Sequence, residues 1–248
     1  MRVIMCEDKH EMGYQAAQLG ISLIKEAIER KGQAVIVVAT GLSQFSLYAH
    51  LGEANLDWSK VEAFGLNEYV NLPDTHPSSF RYYLKTRFVK KVQHLGAFHA
   101  VNGDAEDLNA EIERLNALIR EKDVDVAFLG IGENGHIGFN DPPANFETNA
   151  PYIVVELEER CRRQQVSEGW FATLEEVPRQ AVTMSVRQIL KAKNLVCSVP
   201  DQRKARAVAM CLYDQISVYA PCTVLRTKKE CTLLLDRPSS LLVMGDRR

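Results

Sequence analysis

The chain has 248 residues, of which 46% are hydrophobic and 25% are charged, and its formal net charge is −2 at pH 7. This composition is typical of a folded globular protein and excludes intrinsic disorder and fibrous repeats. The nearly balanced charge argues against nucleic acid as the main partner, and no apolar run approaches the roughly 20 residues that span a membrane. Because Glu7 and Asp8 interrupt the N-terminal segment before a signal-peptide core could form, we expect a cytoplasmic protein.

Short apolar segments rich in β-branched residues alternate along the chain with amphipathic segments of helical length. The predicted strands are 2–6, 34–39, 61–66, 124–132, 152–157, 180–186, 194–199 and 231–236. The predicted helices are 11–30, 45–51, 104–120 and a segment that begins near Ser79 and runs to Val92. Nearly continuous apolar strands indicate a parallel sheet that is buried on both faces. We therefore predict an α/β protein, with a single doubly wound, mostly parallel sheet, helices on both faces and one domain over 1–248.

The cysteines show no spacing typical of a zinc ribbon or a redox motif. No two of the six lie within four residues of each other, and the positions are Cys6, Cys161, Cys197, Cys211, Cys222 and Cys231. Three of them lie in apolar segments, where a free thiol packs as a small hydrophobic group. We predict reduced structural thiols, as suits the cytosol. A single histidine with scattered acids does not resemble a metal-binding set, so no metal is expected.

Ligands of open α/β sheets bind at the carboxyl ends of the strands, and three strand ends of this chain carry unusual polar residues. The first is Thr40-Gly41-Leu42-Ser43, which follows the strand 34–39 and precedes a helix. A glycine, small hydroxyls and the free N–H groups of a helix start suit a phosphate group. The segment is neither a Walker loop nor a dinucleotide fingerprint, and an ordinary turn with a cap is the alternative interpretation.

The second strand end carries Asn67 and Glu68 and leads into a proline turn at Pro73. A carboxamide and a carboxylate at the mouth of a strand suit sugar hydroxyls. A solvated loop position for Glu68 is the alternative.

The third strand end is 130–142, which contains four glycines within nine residues together with Glu133, Asn134, His136 and Asp141. Imidazole is the side chain best suited to transfer protons near neutral pH, and a carboxylate five residues further on can orient it. We predict that His136 is an acid–base group and that Asp141 is its partner. The alternative is a histidine that serves only the structure of the loop.

Several motifs together resemble the glucosamine-6-phosphate deaminase (isomerase) family, which shares its fold with the 6-phosphogluconolactonases. They are GIGENGHIGFNDP at 130–142, LNEYVNLPDTHPSSF at 66–80, ATG at 39–41, EVPRQAVTMSVRQIL at 176–190 and PDQRKARAV at 200–208. The resemblance runs over nearly the whole chain and implies a Rossmann-like fold. Tyr69 favours the deaminase branch, because the lactonases usually carry arginine there.

The resemblance implies a reaction that opens the ring of a hexosamine phosphate, moves a proton from C2 to C1 and releases ammonia to leave fructose 6-phosphate. It assigns ring opening to His136, with Asp141 in place of the family's glutamate partner and Asn134 where relatives carry Asp or Asn. No cofactor is implied. The partner is a small-molecule hexosamine phosphate, and a homo-oligomer and a monomer are both compatible with the family.

The resemblance also assigns the phosphate to Thr40, Gly41 and Ser43 at one turn and to Lys204 at another. A lysine at a helix start after the strand 194–199 adds a point charge to the N–H groups that a phosphate requires. Leu42 stands where relatives have a second glycine, and Gly169 stands where they have an arginine. The residues 147–151 lack the basic cluster of allosteric relatives, so control by an N-acetylated sugar phosphate is not expected.

The main departure from the family is Asn67, which occupies the position of the aspartate that takes the proton from carbon. A carboxamide cannot accept that proton, and loss of a positioned base typically costs about 10²–10⁴-fold in rate. Glu68 or Glu133 is a candidate replacement. Three hypotheses result: a deaminase, a sugar-phosphate lactonase in which His136 activates water, and a sugar-phosphate-binding protein that lost proton transfer at Asn67.

Overall fold

The computed structural model describes residues 1–243, within which strands and helices alternate as predicted. The strands are β1 (Arg2–Cys6), β2 (Ala34–Val38), β3 (Val61–Gly65), β4 (Asn67–Tyr69), β5 (Ala97–His99), β6 (Val126–Leu129), β7 (Tyr152–Glu156), β8 (Gln180–Met184), β9 (Asn194–Val199) and β10 (Cys231–Asp236). The α-helices are α1 (Lys9–Lys31), α2 (Phe45–Gly52), α3 (Phe80–Leu84), α4 (Leu108–Arg120), α5 (Glu159–Ser167), α6 (Val186–Lys191) and α7 (Ala205–Tyr213).

Seven strands form one sheet in the order β1-β10-β9-β6-β2-β3-β5, and every neighbouring pair is parallel. The interior strand β2 is wholly apolar and wholly buried. Its side chains alternate between two hydrophobic clusters, with Val35 and Val37 in one and Ile36 and Val38 in the other. Residues of α4, α6 and α7 belong to the first cluster, and residues of α1 and α2 belong to the second. The predicted α/β fold with helices on both faces is therefore confirmed.

Three short strands lie outside that sheet and form a second, antiparallel sheet in the order β4-β8-β7. The predicted strands 152–157 and 180–186 belong here rather than to the parallel sheet. A sign of this is visible in β7, where Ile153 and Val155 are half-buried while the alternating residues Val154 and Glu156 are exposed, because an antiparallel sheet can bury one face only. Strand β4 was not predicted, since Asn67 and Glu68 are polar residues that rarely form strands.

The ends of the predicted helices shift for identifiable reasons. Helix α1 begins at Lys9 because Asp8 accepts hydrogen bonds from the N–H groups of His10 and Glu11, and it ends at Gly32, which has a left-handed φ of 80°. The helix predicted from Ser79 to Val92 is confirmed at its start, where Ser79 caps α3. It continues only as a π-helical turn over Lys85–Val89.

All six cysteines are free and buried, in agreement with structural thiols. Within residues 1–243 no helix combines the length and the apolar character that a membrane crossing requires.

Candidate active site

The loops that follow β2, β6 and β9 surround a cavity of about 940 Å³ at the carboxyl ends of the parallel strands. Six residues that were singled out in the sequence lie on its wall, although they come from separate segments of the chain. They are Thr40, Gly41, Ser43, Asn67, His136 and Lys204. The parallel sheet brings these segments together, because the carboxyl ends of its strands share one edge.

His136, on the wall of this cavity, forms a pair with Asp141. The Nδ1 atom of His136 lies 2.9 Å from Oδ1 of Asp141, which is ion-pair distance, although the ring N–H is not aligned for an ideal hydrogen bond. The His136 side chain is 9% exposed and the Asp141 side chain 4%. Because Asp141 occupies Nδ1, the Nε2 atom is the ring nitrogen left for a ligand.

Asp141 is held on both of its oxygens. Its Oδ1 accepts a hydrogen bond from Nδ2 of Asn134 at 3.0 Å, and its Oδ2 accepts one from the N–H of Glu158 at 2.9 Å. Burial raises the pKa of the Asp141 carboxyl, but the adjoining imidazole of His136, together with these two donors, lowers it by more, so the net pKa is below the usual 3.8. Asp141 is therefore an ionised and immobile partner for the imidazole.

Asn134 fixes the loop that carries this pair. Its Oδ1 accepts a hydrogen bond from the His136 N–H at 3.1 Å, and its Nδ2 also donates to Oε2 of Glu158 at 2.6 Å. The same loop is closed by a hydrogen bond from the Gly132 N–H to the His136 carbonyl. Gly132 packs against the imidazole so closely that a Cβ there would overlap the ring. Glycine at this position is thus a requirement of the His136 orientation.

A third side chain, Cys161 of α5, lies beside the pair. One donor atom each from His136, Asp141 and Cys161 falls within 4.8 Å of the others. Such a set resembles a metal site, but the Asp141 oxygens are already engaged, and burial raises the pKa of the Cys161 thiol well above its usual value. A neutral thiol is a poor metal ligand, so we interpret Cys161 as packing beneath the carboxylate.

Asn67 and Glu68 are separated by the structure. Asn67 lies on the cavity wall, whereas Glu68 is fully buried on the other side of β4. The Glu68 carboxylate accepts hydrogen bonds from the N–H groups of Tyr69, Phe80 and Arg81 and from the Ser79 hydroxyl. Arg81 also places its Nε 3.4 Å from Oε2 of Glu68. Burial raises the pKa of the Glu68 carboxyl against the opposing effect of these donors.

Neither carboxylate considered as a replacement base therefore lies on the cavity wall. Glu68 instead accepts hydrogen bonds from N–H groups at the start of α3. The alternative interpretation of Glu68, an exposed loop position in contact with water, is also wrong, because the residue is fully buried. Glu133 lies outside the wall, with its Oε1 4.0 Å from Nε of Arg203. Within residues 1–243 the carboxylates on the wall are Glu168, Asp201 and Asp236.

The segment predicted to bind phosphate forms a turn on the cavity wall. Gly41 has a φ of 101°, a conformation that glycine adopts easily, and its carbonyl accepts a hydrogen bond from the Tyr83 hydroxyl at 2.8 Å. A short 3-10 turn over Leu42–Gln44 then leads into α2. The Thr40 and Ser43 side chains flank this turn on the cavity wall.

Lys204 lies at the opposite turn, before α7, and it has a partner that the sequence analysis missed. Its Nζ is 3.2 Å from Oε1 of Glu168, and the two side chains are 11% and 7% exposed. In the sequence Glu168 immediately precedes Gly169, where an arginine of the family is missing, but this departure does not indicate that Glu168 contacts Lys204. Trp170, which follows Gly169 and also lies on the wall, was missed as well.

Comparison with known proteins gives a consistent result. The family model described as glucosamine-6-phosphate isomerases/6-phosphogluconolactonase matches residues 7–234. A glucosamine-6-phosphate deaminase of Bacillus cytotoxicus is 34% identical over 237 residues, which cover 96% of this chain and 87% of that protein. A protein of the same name from a Thermoanaerobacter species is 34% identical over 249 residues, with 98% and 95% coverage.

Solved structures agree with the sequence comparison. A structure described as a monomeric glucosamine-6-phosphate deaminase superposes with a TM-score of 0.88 at 33% identity, covering 98% of this chain and all of that one. A 6-phosphogluconolactonase from Neisseria gonorrhoeae superposes with a TM-score of 0.77 at 15% identity, over 96% of this chain and all of that one. The second likeness concerns the fold alone.

Proposed function

The chain belongs to the glucosamine-6-phosphate isomerase/6-phosphogluconolactonase family, and we propose that it converts glucosamine 6-phosphate to fructose 6-phosphate and ammonia. The observation that carries this proposal is that His136, paired with Asp141 at 2.9 Å, lies on the wall of a cavity that also holds Thr40, Gly41 and Lys204. We place the reaction on one isomerase/deaminase-like domain. The reduced, buried thiols suit a cytoplasmic location.

In this proposal His136 opens the pyranose ring. Its Nε2 removes the proton from the anomeric hydroxyl and returns a proton to the ring oxygen, which leaves the open-chain aldehyde. Asp141 stabilises the imidazolium that forms in between, because its ionised carboxylate lies against Nδ1. Asn134 acts as a positioning residue, because it hydrogen-bonds both the Asp141 carboxylate and the backbone N–H of His136.

The next step moves the C2 proton to C1, and the resulting imine at C2 takes up one water and releases ammonia. Asn67 lies on the cavity wall at the position of the family's proton-accepting aspartate. Its amide can hydrogen-bond an oxygen of the enediol-type intermediate, but it cannot carry the proton from C2 to C1. The wall carboxylates Glu168, Asp201 and Asp236 all accept hydrogen bonds from protein groups. We therefore propose that deamination by this chain is slow compared with a relative that has aspartate at this position.

The substrate phosphate is proposed to lie between the turn at Thr40, Gly41 and Ser43 and the turn at Lys204. Each turn precedes a helix, so that backbone N–H groups and the positive ends of α2 and α7 face the same cavity. The hydroxyls of Thr40 and Ser43 add further donors.

A second candidate function follows from one specific observation. Since Asn67 is on the wall and neither Glu68 nor Glu133 is, the site is also compatible with a protein that binds the sugar phosphate without turning it over.

Ammonia release from glucosamine 6-phosphate by the purified protein separates the two candidates, with 6-phosphogluconolactone hydrolysis measured beside it. We expect ammonia and fructose 6-phosphate in equal amounts, and His136→Ala should abolish both while the ligand still binds. Binding without any ammonia would favour the second candidate. Faster hydrolysis of the lactone than of the amino sugar would favour a lactonase.

A further inference from the structure

The ammonium group of Lys204 is already neutralised by a carboxylate of the protein. Lys204 Nζ lies 3.2 Å from Oε1 of Glu168, and both side chains lie on the cavity wall. This pair is largely desolvated, with 11% and 7% of the side chains exposed. In a pocket for a phosphate dianion the lysine charge would be expected to be available to the ligand.

Glu168 is fixed in place by further donors. Gln164 Nε2 donates a hydrogen bond to its Oε1 at 2.8 Å, and Trp170 Nε1 donates one to its Oε2 at 3.2 Å. Each oxygen therefore has a partner, and the carboxylate cannot leave Lys204 without giving up these bonds. Gly169, the next residue, has a φ of 80° and no side chain that could supply a compensating positive charge.

The charges on the rest of the wall also balance. Within residues 1–243 its cationic side chains other than histidine are Lys9, Arg203 and Lys204, and its carboxylates are Glu168, Asp201 and Asp236. Arg203 is paired with Asp201, with Nη2 and Oδ2 3.1 Å apart. The charged side chains of the wall thus cancel, which leaves the helix N-termini as the source of attraction for an anionic ligand.

We propose that Glu168 is a specificity-determining residue that competes with a substrate phosphate for Lys204. As a result, the site accepts hexosamines that carry a hydroxyl at this end about as well as hexosamine 6-phosphates. A hydroxyl can donate to Glu168 and accept from Lys204 at the same time, whereas a phosphate dianion meets the carboxylate as a like charge. This inference rests on the proposed function, because it places the far end of the sugar at Lys204.

The first test uses the wild-type protein and measures binding of glucosamine 6-phosphate and of glucosamine by calorimetry. Two charge-assisted hydrogen bonds from an unpaired lysine would favour the phosphate ester by about 100-fold. We expect the two sugars to differ by less than about tenfold instead. A preference for the phosphate ester above about 100-fold would overturn the inference.

The second test compares Glu168→Gln with a matched control, Glu159→Gln, which removes the same charge from an exposed position of α5. Glu168→Gln keeps the size of the side chain and an acceptor for Trp170. We expect it to bind inorganic phosphate and glucosamine 6-phosphate about tenfold more tightly, with no gain for glucosamine, while the control stays at the wild-type value. Equal affinities for phosphate in all three proteins would overturn the inference.

The third test introduces Lys204→Ala into the wild-type protein and into the Glu168→Gln variant. The substitution should weaken phosphate binding only slightly in the wild type and much more strongly in the Glu168→Gln background, because only there is the lysine charge free. Equal losses in the two backgrounds would contradict the competition.

The proposed function fails separately from this inference. An absence of ammonia release together with the expected binding pattern would overturn the function and leave the specificity role intact. Ammonia release together with a large preference for the phosphate ester would support the function and overturn the specificity role of Glu168.

Discussion

Asn67 and Glu68 are consecutive residues of β4, and only Asn67 faces the cavity, while Glu68 is buried against the start of α3. Successive side chains of a strand point to opposite faces, so a single polar dipeptide serves two purposes. Asn67 is available to the ligand, and Glu68 binds the free N–H groups of α3. A change at Asn67 should therefore alter the reaction, whereas a change at Glu68 should alter the stability of the fold.

Asn67→Asp is expected to raise the rate of ammonia release by about 10²-fold or more, because it supplies a positioned base without changing the size of the side chain. Steady-state ammonia production from glucosamine 6-phosphate measures the effect, and KM should change little. Asn109→Asp, at an exposed position of α4, is the control and should leave the rate unchanged. If the wild type already releases ammonia as fast as the Asn67→Asp variant, another group takes the proton and our account of the base is wrong.

Glu68→Gln is expected to lower the free energy of unfolding by about 2–4 kcal/mol, because an amide NH₂ would face N–H donors that now bond to a carboxylate oxygen. Urea unfolding measures the loss, and Glu113→Gln, at an exposed position of α4, should change stability by less than about 0.5 kcal/mol. Activity per folded molecule should stay within a few-fold of wild type. A large loss of kcat at unchanged stability would instead assign Glu68 to the chemistry.

Gly132→Ala is expected to reduce activity by about 10²-fold, since the added methyl group displaces the His136 ring from its contact with the backbone. The rest of the fold should be little affected, so the loss should appear in kcat more than in thermal stability. The control is Gly65→Ala, where a Cβ meets only ordinary contacts of 3.7 Å or more. Full activity in Gly132→Ala would show that His136 need not hold this position.

Asp141 should contribute to stability in a pH-dependent manner. Its pKa in the folded protein is below the usual 3.8, so the stabilisation is fully present above that value and is lost as the pH falls through the folded pKa. We expect Asp141→Asn to be less stable than wild type by about 1–3 kcal/mol near neutral pH, with a difference that shrinks below about pH 4. Urea titrations at several pH values test this, and a difference that grows on acidification would contradict it.

The strands that could be predicted from the sequence are those whose apolar character is continuous. The predicted bounds of β1, β9 and β10 agree with the structure at both ends. Strand β4 and helix α5 could not be found in this way, because they are held by distant partners rather than by their own pattern. In α5, for example, Gln164 and Gln165 are buried polar residues, and Gln165 accepts a hydrogen bond from the Tyr69 hydroxyl at 3.0 Å.

The same limit applies to the site. The five-residue spacing of His136 and Asp141 lies within one loop, so their proximity followed from local sequence. The pairing of Lys204 with Glu168 joins two segments that are 36 positions apart, and nothing in the pattern around either residue indicates that they meet. Likewise, the orientation of Glu68 depends on where α3 begins.

Strand β8 anchors both halves of the site at once. Thr183 pairs with Asn67 in the antiparallel sheet, and its Oγ1 accepts a hydrogen bond from the N–H of Phe139, in the loop that carries His136. The Met184 carbonyl accepts another from Nδ2 of Asn140 in that loop. In hydrogen-exchange terms, the amides of β4 and of the His136 loop should open as one cooperative unit, with equal free energies of opening. Thermal fluctuation would then leave no population of molecules that retains one half of the catalytic machinery without the other.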